Sequence, residues 1–476
     1  MNADLIIAIP EITLLALACL VLVVDAFSKD PLHQLSYWIT QGSLLVTLTL
    51  VLYYFPHGAQ IAFNGSFVSD SMSAVLKVFM CGITFVVFLY THEYLKENQC
   101  LKGEYFVLGL FAVLGMMIMA SAYSLLSVYL GLELLSLSLY AMVAMKRDSA
   151  FASEAAMKYF VLGALASGML LYGISMIYGL TGSLQLVTIA DRISLDSINQ
   201  SYLVFGMIFM IIGLAFKLGA APFHMWVPDV YQGAPTSVTL FISTAPKLAA
   251  FAMAIRVLVD GLLPLLTDWQ SILMILAVLS MATGNIIAIA QTNIKRMLAY
   301  STIAHVGYLF LGLIAGTASG FAGSMFYIIS YALMTMGAFG MIILLGRNGF
   351  EAEMLEDFKG LSERTPWFAF IMMMLMFSMA GVPPFLGFWS KWFVLKELVA
   401  SGFVGLAAVA VLFSIIGAYY YLRIIKLMYF DKPISMTAIK ASKQMRAVLS
   451  INGLLILVLG LAPNALMAIC ISALAG

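Results

Sequence analysis

Charge is what this sequence has least of. Asp, Glu, Lys and Arg make up 10% of its 476 residues and hydrophobic residues 63%, where a soluble domain carries about 25% charge. That deficit excludes a water-facing globule, and a net charge of +1 gives no sign of a nucleic-acid partner. Cysteine is scarce too. Cys19, Cys81, Cys100 and Cys470 are scattered, with no Cys-x-x-Cys spacing for an iron–sulfur cluster or zinc. No cofactor or metal is therefore expected on this chain. The apolar N-terminal run from Leu5 to Val24 lacks a small-residue cleavage site and ends in Asp25, which reads as a first membrane span rather than a removed signal peptide.

What the sequence does have is long apolar runs. Punctuated by Gly, Pro and charge, they predict helices near 5–27, 36–55, 71–92, 104–120, 123–145, 153–179, 201–218, 236–259, 270–290, 297–315, 320–346, 366–381, 403–430 and 447–470. A span needs about 20 residues, so the expectation is an all-α polytopic protein of about fourteen transmembrane helices embedded in lipid. Two runs are broken, by Pro222 within Ala221–Pro228 and by Pro384 within Gly381–Pro384. Pro222-Phe223 with Trp226 and Pro384-Phe385 with Trp389 lie 162 residues apart. That offset suggests a five-helix unit repeated once in inverted orientation, with sites at the breaks. The corresponding divisions are a three-helix segment 1–103, repeats 104–262 and 263–430, and a terminal helix 431–476. With the N-terminus placed outside, fifteen Lys and Arg fall on cytoplasmic loops and three, Arg192, Arg256 and Lys396, outside. The positive-inside rule then puts both termini on the outer side.

Six cations remain within spans: Lys77, Lys158, Lys217, Lys247, Lys391 and Arg423. A charge at a helix centre costs about 2.5–3.5 kcal/mol on insertion scales. Arg423 is read as snorkelling at a helix end and Lys77 as open to the same reading. The other four lysines, with Glu133 in mid-span, suit a proton relay, since burial and a movable carboxylate switch an amine between its two states. The alternative is a static ion pair that fixes helix packing. His305 suits a shuttle or a packing role equally. His224 and Asp229 flank the first break, as gates for solvent or, more simply, as caps for freed backbone groups.

The stretch Lys217 through Ala221-Pro222-Phe223-His224-Met225-Trp226-Val227-Pro228-Asp229-Val230-Tyr231-Gln232-Gly233-Ala234-Pro235 resembles the signature of the antiporter-like membrane subunits of respiratory complex I, in its N-type version. Gln291-Thr292-Asn293-Ile294-Lys295-Arg296 with Tyr300-Ser301 and His305, and Gly381-Val382-Pro383-Pro384 leading to Gly387-Phe388 and Lys391, extend the likeness over nearly the whole chain. The resemblance implies fourteen spans, two inverted repeats and a hydrophilic axis for protons. On it Glu133 would be the fifth-helix acid, Lys158 the sixth-helix lysine, Lys217 the lysine beside the seventh-helix break, Lys247 the connecting lysine and Lys391 the exit lysine. It implies a place in the bacterial inner membrane among other complex I membrane subunits, including other antiporter-like ones. NADH, FMN, iron–sulfur clusters and quinone would sit on partner subunits. The rival expectation is a subunit of a secondary cation/proton antiporter.

Overall fold

The computed structural model describes residues 3–28, 30, 32–98, 100–195, 198–346, 350–434 and 441–475. Lys29, Arg347 and Lys440, three of the cations counted on loops, lie outside these residues. Helices begin where a polar residue precedes an apolar run. Asp70 caps Ser71–Glu97 through a reciprocal pair of bonds with Ser73, and Ser124, Ser149, Asn199, Asn293, Thr317 and Ser442 cap later helices with their side chains.

Among the described residues thirteen helices are long and apolar enough to cross a membrane. The interrupted pair Pro366–Ala380 and Leu386–Ala400 supplies a fourteenth crossing. The predicted helix 447–470 divides into Lys443–Leu461 and Pro463–Leu474, because Pro463 has no N–H to continue the ladder. A short hairpin, Gln60–Ala62 with Phe67–Ser69, accounts for the named strands.

Contacts between loops sort them onto two faces. On one, Phe67 bridges Ala122, Ser124 bridges Gln185, and Gln200 reaches Asp268. On the other, Lys102 meets the carbonyl of Met145, Asn293 bridges Met354, and Gly360 donates to Leu427. The broken segment Gln200–Gly233 therefore runs from the first face to the second, and Pro366–Ala400 runs back the other way. The repeat is inverted as expected.

The two breaks match bond for bond. Gly219 donates to Ala215 and Phe216, and Ala220 to Ala215. Gly381 donates to Phe377 and Ser378, and Val382 to Phe377, each partner 162 residues further on. Gly219 at φ 83° and Gly381 at φ 90° adopt the left-handed conformation that this helix end requires. The cap satisfies the carbonyls one turn back and leaves those of Leu218 and Ala380 facing the interior.

Three spans are wholly enclosed by the others: Thr236–Gly261, Ile294–Ile314 and Ala318–Leu345 are buried throughout their most apolar windows. They carry Lys247, His305 and a set of tyrosines, so the polar chemistry lies at the centre of the bundle.

Candidate functional site

The breaks explain where two of the lysines go. A carbonyl freed inside the membrane has no water to bond and needs a donor from the protein. Lys247 Nζ supplies it to Leu218 at 2.7 Å, and Lys391 Nζ to Ala380 at 2.8 Å. Each amine thus faces the C-terminal end of a helix, where the macrodipole is negative, and a cation there is stabilised by about 0.3–2 kcal/mol. Lys247 also lies 5.4 Å from the Trp226 ring centre, and Lys391 lies 5.2 Å from that of Tyr308. The acceptors are related by the 162-residue offset but the lysines are not. Position 391 corresponds to Asp229, so the two halves reach the same solution from different helices.

Lys217, at the end of Gln200–Leu218, donates to Ser136 at 2.8 Å. Ser136 stands one turn from Glu133 on the same helix. Glu133 accepts from Ser167 on the neighbouring helix. Glu133 and Lys217 make no direct ion pair, and a turn of helix separates their two anchoring contacts. Lys217, Lys247 and Lys391 are 7%, 2% and 9% exposed, and no carboxylate among the described residues lies within ion-pair distance of any of them.

His305 is buried at the centre of a hydroxyl network. Its Nδ1 is 2.7 Å from Tyr327 Oη and its Nε2 3.0 Å from Tyr421 Oη, which is in turn 2.5 Å from Ser301 Oγ. Thr302 and Tyr331 pair at 2.6 Å beside it. Tyr308, one turn further on, stacks on Tyr327 and lies under Lys391 while its hydroxyl donates to the Ala410 carbonyl at 3.1 Å, and Lys391 also donates to Ser414 at 2.9 Å. Sequence reasoning missed the tyrosines, since a tyrosine in an apolar span is unremarked until its hydroxyl finds a partner. The buried hydroxyls of Tyr231, Ser330 and Thr335 have no hydrogen-bond partner among the described residues.

Lys158 departs from expectation. Its side chain is 42% exposed and is held by Asp229 at 2.7 Å and Glu154 at 2.8 Å. Asp229 also takes Arg296 at 2.7 Å, so it ties three helices together instead of capping the break. Pro222 and Pro384 sit in the breaks as expected. The carbonyl of His224 accepts from Val227 within the first, while its Nδ1 is buried without a partner among the described residues.

Other cations also move. Lys77 does not snorkel; it forms a buried ion pair with Glu11 at 2.6 Å. Arg256, assigned to an outer loop, is buried and bonds Asp70, Asp260 and the carbonyl of Ala120. Lys295, assigned to a cytoplasmic loop, is buried on Glu353 at 2.6 Å. Arg423 lies about two turns inside Val404–Phe430 and bonds the carbonyls of Ile289 and Gln291 at the end of the neighbouring helix Leu266–Ala290. Among the described residues no group of three or more His, Cys, Asp or Glu side chains is placed to hold a metal ion.

A family model described as "NADH:quinone oxidoreductase/Mrp antiporter, TM" matches residues 122–417. NADH-quinone oxidoreductase subunit N of Thioalkalivibrio sulfidiphilus is 57% identical, over 99% of this chain and 98% of its own length. Among solved structures, a chain of respiratory complex I from Thermus thermophilus with bound aureothin superposes with a TM-score of 0.83 at 32% identity, over 96% of this chain and 98% of that one. A chain of the Mrp complex from a Dietzia species superposes with a TM-score of 0.86 at 19% identity, over 100% and 97%; at that identity the likeness concerns the fold alone.

Proposed function

Because the chain belongs to the NADH-quinone oxidoreductase subunit N family, and is a proton-translocating membrane subunit of that enzyme, we propose that Glu133, Lys217, Lys247, His305 and Lys391 form its proton relay. The observation that carries this reading is the set of three buried lysines held on hydroxyls and helix-end carbonyls with no carboxylate counter-ion. An ion pair built only for packing would place an acid against each amine, because an uncompensated buried charge is strongly destabilising. These amines are instead placed to gain and lose protons.

In the proposed sequence, Glu133 moving toward Ser136 and Lys217 stabilises the charged amine, and its return to Ser167 releases it. The proton passes to Lys247, whose acceptor carbonyl belongs to the residue next to Lys217. It then crosses by way of the unpartnered hydroxyls of Tyr231, Ser330 and Thr335, which favour ordered water, to His305 and its tyrosines and on to Lys391. Lys158 acts from the side: its charge, fixed by Asp229 and Glu154, holds the second half of the broken helix. Pro222, His224 and Pro384 keep the breaks open to hydration. Repeats 104–262 and 263–430, flanked by 1–103 and 431–476, are the units we assign, supported by the matched caps. The face rich in Lys and Arg is taken as the cytoplasm, with both termini opposite and the subunit in a bacterial inner membrane. Its partners are other complex I membrane subunits, including antiporter-like ones; NADH, FMN, iron–sulfur clusters and quinone are assigned to other subunits.

Lys217→Ala and Lys217→Arg in the assembled complex test the relay. Both should abolish proton pumping coupled to quinone reduction while NADH oxidation by a soluble artificial acceptor persists, since arginine's pKa above about 12 prevents release. Wild-type pumping by Lys217→Ala refutes the role, and normal pumping by Lys217→Arg identifies a static charge.

A further inference from the structure

Beyond the central axis, one carboxylate joins the cation-rich face to the Lys247 helix. Glu351, in the connection after Ala318–Leu345, accepts from Tyr94 Oη through one oxygen and from Thr236 Oγ1 at 2.9 Å through the other. Thr236 opens the span that carries Lys247. Glu351 also lines a cavity of about 220 Å³, together with Lys146, Lys295, Glu353 and the Gly233–Pro235 turn, and a water occupies about 30 Å³ of liquid. The other charges around it differ in kind: Lys295 and Glu353 neutralise each other at 2.6 Å, whereas Glu351 makes no ion pair among the described residues. Inward from Thr236, buried hydroxyls recur at Thr239 and Ser243, donating to the carbonyls of Tyr231 and Leu240, before the helix breaks at Thr244 and a second one carries Lys247.

We infer that Glu351 is the proton-loading carboxylate at the mouth of the relay; this rests on the assignment of Lys247 to that relay. Glu351 takes a proton from hydronium in the cavity, leaving water. The Thr236 hydroxyl accepts it as it releases its own proton inward, and Thr239 and Ser243 repeat the exchange with intervening water. The net result is one proton moved and one neutral Lys247 amine converted to ammonium, which recharges Lys217, beside the Leu218 carbonyl that Lys247 holds, before Lys217 releases its proton along the relay.

The test uses the assembled complex in membrane vesicles, with Glu351→Gln, which keeps hydrogen-bonding capacity without titrating, and Lys247→Ala in parallel. Glu356→Gln, an exposed acid of the same connection paired with Lys359, is the control expected to pump normally. A positioned acid–base group typically contributes 10²–10⁴-fold; with bulk water still reaching the cavity, Glu351→Gln should lower coupled pumping about tenfold at about pH 8 and much less at about pH 6, where hydronium is a hundredfold more abundant. A loss equal at both pH values makes Glu351 a strap for the loop and overturns the proposal. Unchanged pumping in Glu351→Gln, with pumping abolished in Lys247→Ala, overturns the loading role alone; unchanged pumping in both overturns the relay as well.

Discussion

Replacing Lys247 separates two duties of one amine. Methionine is similar in length and leaves little cavity, so Lys247→Met removes the donor to Leu218 O without much loss of packing. An orphaned buried acceptor costs about 1–3 kcal/mol, and about 1.4 kcal/mol is tenfold in an equilibrium. The folded subunit should therefore lose roughly one to two powers of ten in stability against local opening at the break. Lys247→Gln can still donate to that carbonyl and should stay closer to wild type. Neither variant carries a proton, so both should stop pumping. The assays are proteolysis at the break in purified complex, for stability, and quinone-coupled acidification of vesicles, for transport. Equal protease resistance in Lys247→Met and Lys247→Gln would refute the carbonyl argument. Wild-type acidification by Lys247→Gln would refute the carrier argument.

Lys391→Ala should impair pumping far more than Arg423→Ala, because the first amine is enclosed beside a break and the second guanidinium only caps helix-end carbonyls; equal losses in assembled complex would count against the distinction. Lys77→Met should destabilise the subunit by about 3–5 kcal/mol by leaving Glu11 charged and unpaired, and the double variant with Glu11→Leu should recover most of it, as read from assembled yield; no recovery would mean that the pair is not isolated. Single cysteines placed at Lys443 and Ala475 should be labelled from the cytoplasm and from outside respectively; labelling of both from one side would sink the fourteen-span topology.

Spans were legible because an apolar run of about 20 residues has few other uses, and the boundaries around Ser71–Glu97 or Ala150–Thr181 moved by only a few residues. The repeat was legible only as a Pro, Phe and Trp echo, since most of the match lies in backbone bonds that many side chains permit. Charge placement was read less well near helix ends. Arg256 sits at the close of a span and looks like a loop cation until Asp70, 186 residues away in sequence, folds against it. Lys158 failed the other way: a lysine within the run predicted at 153–179 reads as buried, but its face of the helix is turned outward to Asp229 and Glu154. The tyrosines around His305 carry no pattern of their own, and only the unmet needs of a buried imidazole pointed toward them.

The lysine on each severed helix end has a property that asparagine, serine or a bound water would share only in part. An amine keeps N–H bonds after it has given up a proton, so in the proposed relay the Leu218 and Ala380 carbonyls would keep their donor whether the lysine is charged or neutral. Discharge of the residue changes the electrical load on the bundle and leaves the mechanical one untouched. The scaffold need not be rebuilt at every turnover, and signals travelling to neighbouring subunits can be carried by charge with little movement of the backbone.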